Sequence, residues 1–289
     1  MAYKIGWFST GRDKAARDLL TTIHSSIKEG AIKAQIIFVF SDREEGEAEE
    51  SDKFFELVKS LGIPLICLSS KKFEPDLRGK GKRDPIVLEE WRDRYHREVI
   101  RLLGGYDPDL IVLAGYMLIV SGGMCRRYPM INLHPAAPGG PTGAWQEVIW
   151  KLIEARQRRT GIMIHLVTEE LDKGTPITYC TFPIRGGSFD ELWKNLDEKL
   201  EIKTLSQIIR EEGEENSLFK EIRKNQVIRE LPLIFHTIQR FAKGEIKIPR
   251  GSEGEVRSVI VDGKVLTTGF NLSREINAHL EEWSTGELN

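Results

Sequence analysis

The chain has only three cysteines, Cys67, Cys125 and Cys180, in 289 residues. Their number is odd, their spacing wide and their surroundings apolar, which excludes a disulfide framework and fits reduced thiols in a cytosolic protein. Long hydrophobic runs are missing as well. No stretch approaches the roughly 18 apolar residues of a membrane span, and the opening "MAYKIGWFSTGRDK" lacks the apolar core of a secretory leader. Charge of one sign is also scarce. Against 42 basic residues stand 44 acidic ones, a formal net charge of −2, so nothing global attracts nucleic acid or an anionic membrane. What is present, 40% hydrophobic and 30% charged residues, suffices for a substantial core in one large domain, or one domain with an appendage. The expectation is a cytoplasmic globular protein without nucleic-acid or membrane partners.

Apolar runs of strand length alternate with helical patterns through the first two thirds. "KIGWFST" reads as a strand, residues 12–28 as a helix, "AQIIFVFS" as a strand, 47–61 as a helix and "IPLICLSS" as a strand. A helix over 85–103 precedes "DLIVLAG", and "MINLH" follows after a short crossover. "GIMIHLVTEE" and "PITYCTFPI", joined by the short "LDKGT", read as an antiparallel pair. This alternation is the mark of an open α/β fold with a mostly parallel, twisted sheet.

Two segments break the rhythm. Residues 71–84, "KKFEPDLRGKGKRD", are basic and aperiodic and read as an exposed inserted loop, either simply solvated or a patch for phosphate or RNA. From residue 188 the pattern turns helical, with Ser188 and Glu191 at capping-box spacing and a further helix over 217–243. Asp262 and Gly263 in "VRSVIVDGKVLTTGF" signal a hairpin. The expected division is therefore 1–187 as the α/β catalytic part and 188–289 as a helical and hairpin extension packed on it.

The stretch "MINLHPAAPGG" places Asn132 and His134 two apart at the end of a strand, hence on one face of it. In open α/β sheets ligands bind at that edge. An amide supplies N–H donors to a developing oxyanion, and an imidazole titrates near neutrality, so the two suit attack on a carbonyl. "EELDKGTPI" adds a carboxylate, Asp172, in the turn after the next strand; placed nearby, it would favour the charged imidazole. The same residues also fit an ordinary hydrogen-bonded pair beside an ordinary turn. A metal-binding set of His134, His165 and Asp172 is a further alternative, though it leaves Asn132 without a role.

Three motifs taken together, "INLHPA", "TEELDKGTPI" and "LIVLAGYMLIVS", resemble the folate-dependent formyltransferases, closest to those acting on phosphoribosylglycinamide. The resemblance runs from residue 4 to about 270, interrupted by the two insertions. It implies a Rossmann-like formyltransferase sheet and 10-formyltetrahydrofolate as cosubstrate, with no metal. By the same resemblance Asn132, His134 and Asp172 are catalytic. Met117, Leu118, Ile119 and Val120 hold the pterin by their backbone, facing a loop of Thr168, Glu169, Glu170, Leu171 and Asp172. Arg92 approaches the benzoylglutamate end, and His165 matches a histidine beside the active site, where a packed strand histidine is an equal alternative.

The acceptor side departs from the pattern. A Gly-Ser-Asn turn that holds the acceptor phosphate on backbone amides is replaced by the longer "STGRDKAARDLL", which keeps Gly11 and presents Arg12, Asp13 and Lys14. These four residues would hold a phosphate more by side-chain charge than by amides. The position of an amine-binding glutamate holds Val227, with Glu230 nearby. The expected reaction is formyl transfer to a small phosphorylated amine, with phosphoribosylglycinamide in purine biosynthesis leading. Other readings are a sugar-nucleotide N-formyltransferase, a formyltetrahydrofolate hydrolase, or a noncatalytic folate or nucleotide sensor. A homodimer is compatible with all of them.

Overall fold

The computed structural model describes residues 2–249 and 258–285. In chain order the elements are β1 (Tyr3–Phe8), α1 (Lys14–Lys28), β2 (Ala34–Ser41), α2 (Glu49–Ser60), β3 (Leu65–Cys67), α3 (Pro75–Gly81), α4 (Pro85–Leu102), β4 (Leu110–Leu113), α5 (Gly122–Arg127) and β5 (Met130–His134). There follow α6 (Trp145–Glu154), β6 (Arg159–Leu166), β7 (Pro176–Pro183), α7 (Ser188–Leu200), α8 (Leu205–Glu212), α9 (Ser217–Ala242), β8 (Ile246–Lys247), β9 (Ile260–Val261), β10 (Lys264–Val265), β11 (Phe270–Asn271) and α10 (Ser273–Thr285). They divide into two compact units. Met1–Leu133, His165–Thr175 and Phe235–Thr267 form the first; His134–Ile164, Pro176–Ile234 and Thr268–Asn289 form the second.

The first unit is built on strands in the order β5-β4-β1-β2-β3, each pair parallel. All four residues of β4, and Ile5, Trp7 and Phe8 of β1, are buried, as expected of parallel strands covered on both faces. Phe8 packs against Phe40 and Tyr116 at ring separations of 4.7 and 5.3 Å. The expected α/β sheet with flanking helices is what the chain forms. In the smaller sheet β9 lies between β8 and β10, antiparallel to both. Asp262 and Gly263 turn the β9–β10 hairpin with φ of 49° and 75°, the left-handed pair that a two-residue turn of this kind demands. Residues 250–257, which include the start of that predicted stretch, lie outside the described residues.

The basic segment 71–84 is largely exposed, as its composition suggests, but it is not a loop throughout. Pro75–Gly81 is a short helix with proline in its first turn, where the missing N–H costs nothing. Phe73 and Leu77 pack onto the core; Trp91 donates its indole N–H to the Phe73 carbonyl at 2.9 Å, and Arg78 lies 5.0 Å over the Trp91 ring. Gly81 meets the backbone of Leu88, where a Cβ would come within 2.8 Å of Cα. Two apolar anchors among cations thus dock the segment.

In the second unit β7 lies between β6 and β11, with β11 parallel to β7. Its core gathers Ile149, Ile153, Trp193, Ile208, Phe219 and Ile222, the apolar faces of α6 to α9. The start of α7 differs from expectation. Gly187, with φ of 57°, occupies the cap position, and Ser188 is the first helical residue with no capping bond. The reciprocal box forms instead at α8, where Thr204 accepts from the Gln207 amide at 3.3 Å and Gln207 accepts from the Thr204 amide at 2.8 Å. Among the described residues no helix is long and apolar enough to cross a membrane.

Candidate active site

A small pocket in the first unit is lined by Leu113, Tyr116, Leu118, Ile119, Val120, Asn132, His165, Val167, Thr168, Glu170, Leu171 and Asp172. The chain builds it from three sequence-distant pieces. Asn132 comes from β5, Leu113, Tyr116 and the 118–120 segment come from β4 and the stretch after it, and the rest come from the end of β6 and the turn that follows. That turn is tightly held. The Leu166 amide donates to the Thr175 carbonyl at 2.9 Å, and Asp172 adopts φ of 56°, a left-handed conformation that aspartate tolerates better than most residues. Gly174 is required by space rather than by dihedral, because a Cβ there would lie 1.6 Å from the Leu166 carbonyl oxygen.

The polar centre of this pocket is a triangle of Asn132, His165 and Asp172. Asn132 Nδ2 lies 3.2 Å from His165 Nε2 and 3.5 Å from Asp172 Oδ1, and His165 Nε2 is 3.5 Å from the same oxygen. His165 Nδ1 sits 2.9 Å from the Leu166 carbonyl. Since a carbonyl only accepts, Nδ1 carries the hydrogen, and Nε2 is the acceptor for the Asn132 amide. The two side chains opposite Asn132 are almost wholly buried, at 3% and 4% exposure. The amide therefore presents its donors to a desolvated place, where their electrostatic effect is strongest.

The wall formed by residues 117–120 is braced from below. Thr10 Oγ1 accepts from the Met117 amide at 3.1 Å and donates to Asp42 Oδ1 at 2.6 Å; the Thr10 amide donates to the Gly115 carbonyl. Burial pushes the Asp42 carboxyl up from its ordinary value, opposed by the Thr10 hydrogen bond and by Arg43. Beneath Tyr116, His96 donates from Nδ1 to the Arg92 carbonyl at 2.9 Å and accepts the Tyr116 hydroxyl at Nε2, 3.4 Å away. Burial drives the His96 imidazole down from 6.5 to about 4, so it stays neutral and fixes the direction of that chain. Nothing in the sequence pattern marked Thr10, Asp42, His96 or Tyr116.

The other predicted residues fall at different places. Met117 and Leu171 are large apolar side chains left 42% and 46% exposed in the same unit. Glu169 pairs with Arg126 at 2.7 Å on the surface. Arg92 is partly buried, its guanidinium lowered from its ordinary value by desolvation. At the start of α1, Asp13 caps the helix by accepting from the Ala16 amide at 3.1 Å, while Lys14 turns to Asp18 at 2.6 Å. Gly11 is fixed twice over, by φ of 63° and by Phe54, which a Cβ would meet at 2.8 Å.

His134 belongs to the second unit. It is 2% exposed, with Nε2 2.9 Å from the Pro141 carbonyl oxygen, so Nε2 carries a hydrogen. On α9, Glu230 is buried and bound to Arg223 at 2.6 Å, whose guanidinium lies 4.7 Å over the Trp145 ring. That carboxylate is already engaged. Among the described residues no group of three or more His, Cys, Asp or Glu is arranged to hold a metal ion.

Residues 14–209 match the family model described as formyl transferase. A phosphoribosylglycinamide formyltransferase of Saccharomyces cerevisiae is 32% identical over 111 residues, 36% of this chain and 51% of that protein. The enzyme of the same name from Dictyostelium discoideum is 36% identical over 113 residues, 36% of this chain and 54% of its own. The chain thus spans about half the length of these two relatives. In fold it is similar to the phosphoribosylglycinamide formyltransferase structure from Coxiella burnetii, with a TM-score of 0.61 at 19% identity over 94% of this chain and 99% of that one.

Proposed function

Because the chain belongs to the formyl transferase family, we propose that it transfers a formyl group from 10-formyltetrahydrofolate to a primary amine. The observation that carries this reading is the pocket itself. Leu118 to Val120 on one side and Thr168, Glu170, Leu171 and Asp172 on the other supply walls for a flat heteroaromatic ring, and the partly buried Asn132 amide is set between them.

The chemistry follows from the side chains. The lone pair of a neutral amine attacks the formyl carbon; a C–N bond forms, and the carbonyl oxygen gains negative charge. Asn132 Nδ2–H and protonated His134 donate to that oxygen. The longer of the two contacts of Asn132, to Asp172, is the one that the oxyanion replaces, while the bond to His165 keeps the amide aimed. The bond to N10 then breaks. The proton lost by the attacking nitrogen reaches N10 through water held by Asp172.

The acceptor in this reading is a small phosphorylated amine, with phosphoribosylglycinamide first. The capped start of α1 supports a grip by the Arg12 side chain more than by helix amides, since Asp13 already takes one of them. The test is release of tetrahydrofolate from 10-formyltetrahydrofolate with and without phosphoribosylglycinamide. Amine-dependent release is expected. Release without amine would mean a hydrolase, and folate binding without release would mean a sensor.

A further inference from the structure

We infer that Gln226, on α9, is a positioning residue that fixes the turn carrying His134. The inference rests on the reading just given, in which His134 acts on the substrate. Its starting point is an anomaly of pattern. Ile222, Gln226 and Leu233 lie along one face of the helix and each is fully buried, with Glu230, tied to Arg223, also buried between the last two; beside Ile222 an aliphatic side chain would be the usual occupant of position 226. Glutamine stands there instead.

Its amide has one orientation. Gln226 Nε2 donates to the Pro135 carbonyl at 2.6 Å. Turning the amide over would set Oε1 against that carbonyl, lone pair to lone pair. In the orientation kept, Oε1 is buried without a hydrogen-bond partner among the described residues. The donor side of the amide is thus the one committed to Pro135.

Pro135 directly follows His134. The turn leaving β5 is held at two points: Gln226 grips the Pro135 carbonyl, and the His134 ring meets the Pro141 carbonyl at 2.9 Å. Between them the Gly140 amide closes onto the Ala137 carbonyl at 2.9 Å. The first grip comes from another element of the fold. Without it, the Pro135 peptide beside His134 loses that hold, and the imidazole is free to shift with it. Gln226 touches no reacting atom in this account; it acts through the histidine.

Two substitutions and one spectrum test this on the full chain. Gln226→Leu should lower kcat by between about 10- and 100-fold, the scale of a misplaced catalytic group, and leave KM for 10-formyltetrahydrofolate unchanged. Gln226→Glu has nearly the same shape, and its neutral carboxyl can donate to Pro135 while its carboxylate cannot. Its rate relative to the unsubstituted protein should therefore be high in acid and fall as pH rises, later than for an exposed glutamate because burial resists ionisation. A purely structural glutamine would show the same relative rate at every pH. The imidazole Cε1–H resonance of His134, assigned by its loss in His134→Ala, should shift in Gln226→Leu. If the unsubstituted protein transfers no formyl group, the functional reading falls, and the resonance still judges Gln226. Full turnover of Gln226→Leu with an unmoved His134 signal would overturn the inference. Should that variant not fold, a flat relative pH profile of Gln226→Glu does the same.

Discussion

Two places in the first unit lie close in chemistry and far apart in design: the pocket around Asn132, and the turn from Gly11 to Lys14. In the pocket, side chains from β5, β6 and the Asp172 turn interlock through hydrogen bonds of 3.2 and 3.5 Å, over a second layer of Thr10, Asp42, His96 and Tyr116. At the turn, only the glycine is fixed; Asp13 serves the helix and Lys14 serves Asp18. The difference teaches where this chain is free to vary. Under the proposed reaction, the group that meets a developing oxyanion is held from several sides, whereas the charge proposed to attract a phosphate works from an adaptable side chain.

The comparison is broken most sharply at the pocket. Asn132→Ala should lower kcat by about 10² to 10³, the cost of one oxyanion donor, with folate affinity by calorimetry nearly unchanged. His134→Ala should do likewise, and wild-type turnover in either would remove the assignment.

The supporting layer gives the next largest effect. The His96 imidazole is depressed to about 4 in the folded chain against 6.5 ordinarily, so the unfolded chain binds the extra proton first. The stability that His96 contributes by staying neutral is fully present above pH 6.5 and is lost as pH falls from there toward 4, about 3 kcal/mol in all. Urea midpoints at pH 7 and pH 5 should show this loss, and His96→Gln should flatten it. An equal drop in the variant would assign the acid sensitivity elsewhere.

Thr10→Val removes the acceptor of the Met117 amide and the donor to Asp42. A stranded donor costs about 1–3 kcal/mol, so KM for the formyl donor should rise roughly tenfold while KM for the amine stays fixed. Steady-state kinetics with each substrate varied in turn would expose an equal change in both, which contradicts a brace specific to the 117–120 wall. Smallest of all, Arg12→Ala should raise KM for a phosphorylated acceptor by about two- to fivefold, less at high salt. Lys14→Ala should matter less, because Asp18 already holds that ammonium. A larger effect from Lys14 would reverse the roles given to the two cations.

Much of the fold was legible because period survives in the chain. The buried runs of β1, β2 and β4 and the helices α1, α2, α4 and α9 stand within a few residues of where their patterns place them. What the pattern hid was decided by tertiary contact. The α3 segment reads as a basic loop because two glycines and several cations outvote Phe73 and Leu77, whose partners Trp91 and Tyr95 lie farther along the chain. Ser188 reads as a cap because spacing alone cannot show that Gly187, at positive φ, takes that place. In the candidate site, Asn132 and Asp172 were visible as motif residues. The Thr10–Asp42–Met117 relay was not, since it depends on groups brought together across 32 and 107 positions, and the tautomer of His165 was not, since it depends on how the ring turns onto the neighbouring Leu166 carbonyl.

Gly174 limits what evolution or an engineer can do with the loop that presents Asp172. With the Leu166 oxygen 1.6 Å from where a methyl group would begin, even alanine would force the strand end and the loop apart. Lys173, one position earlier, faces solvent. Saturation libraries across this stretch should therefore return a broad mixture of residues at 173 and glycine alone at 174, so that drift can repaint the loop's exterior without ever lengthening its waist.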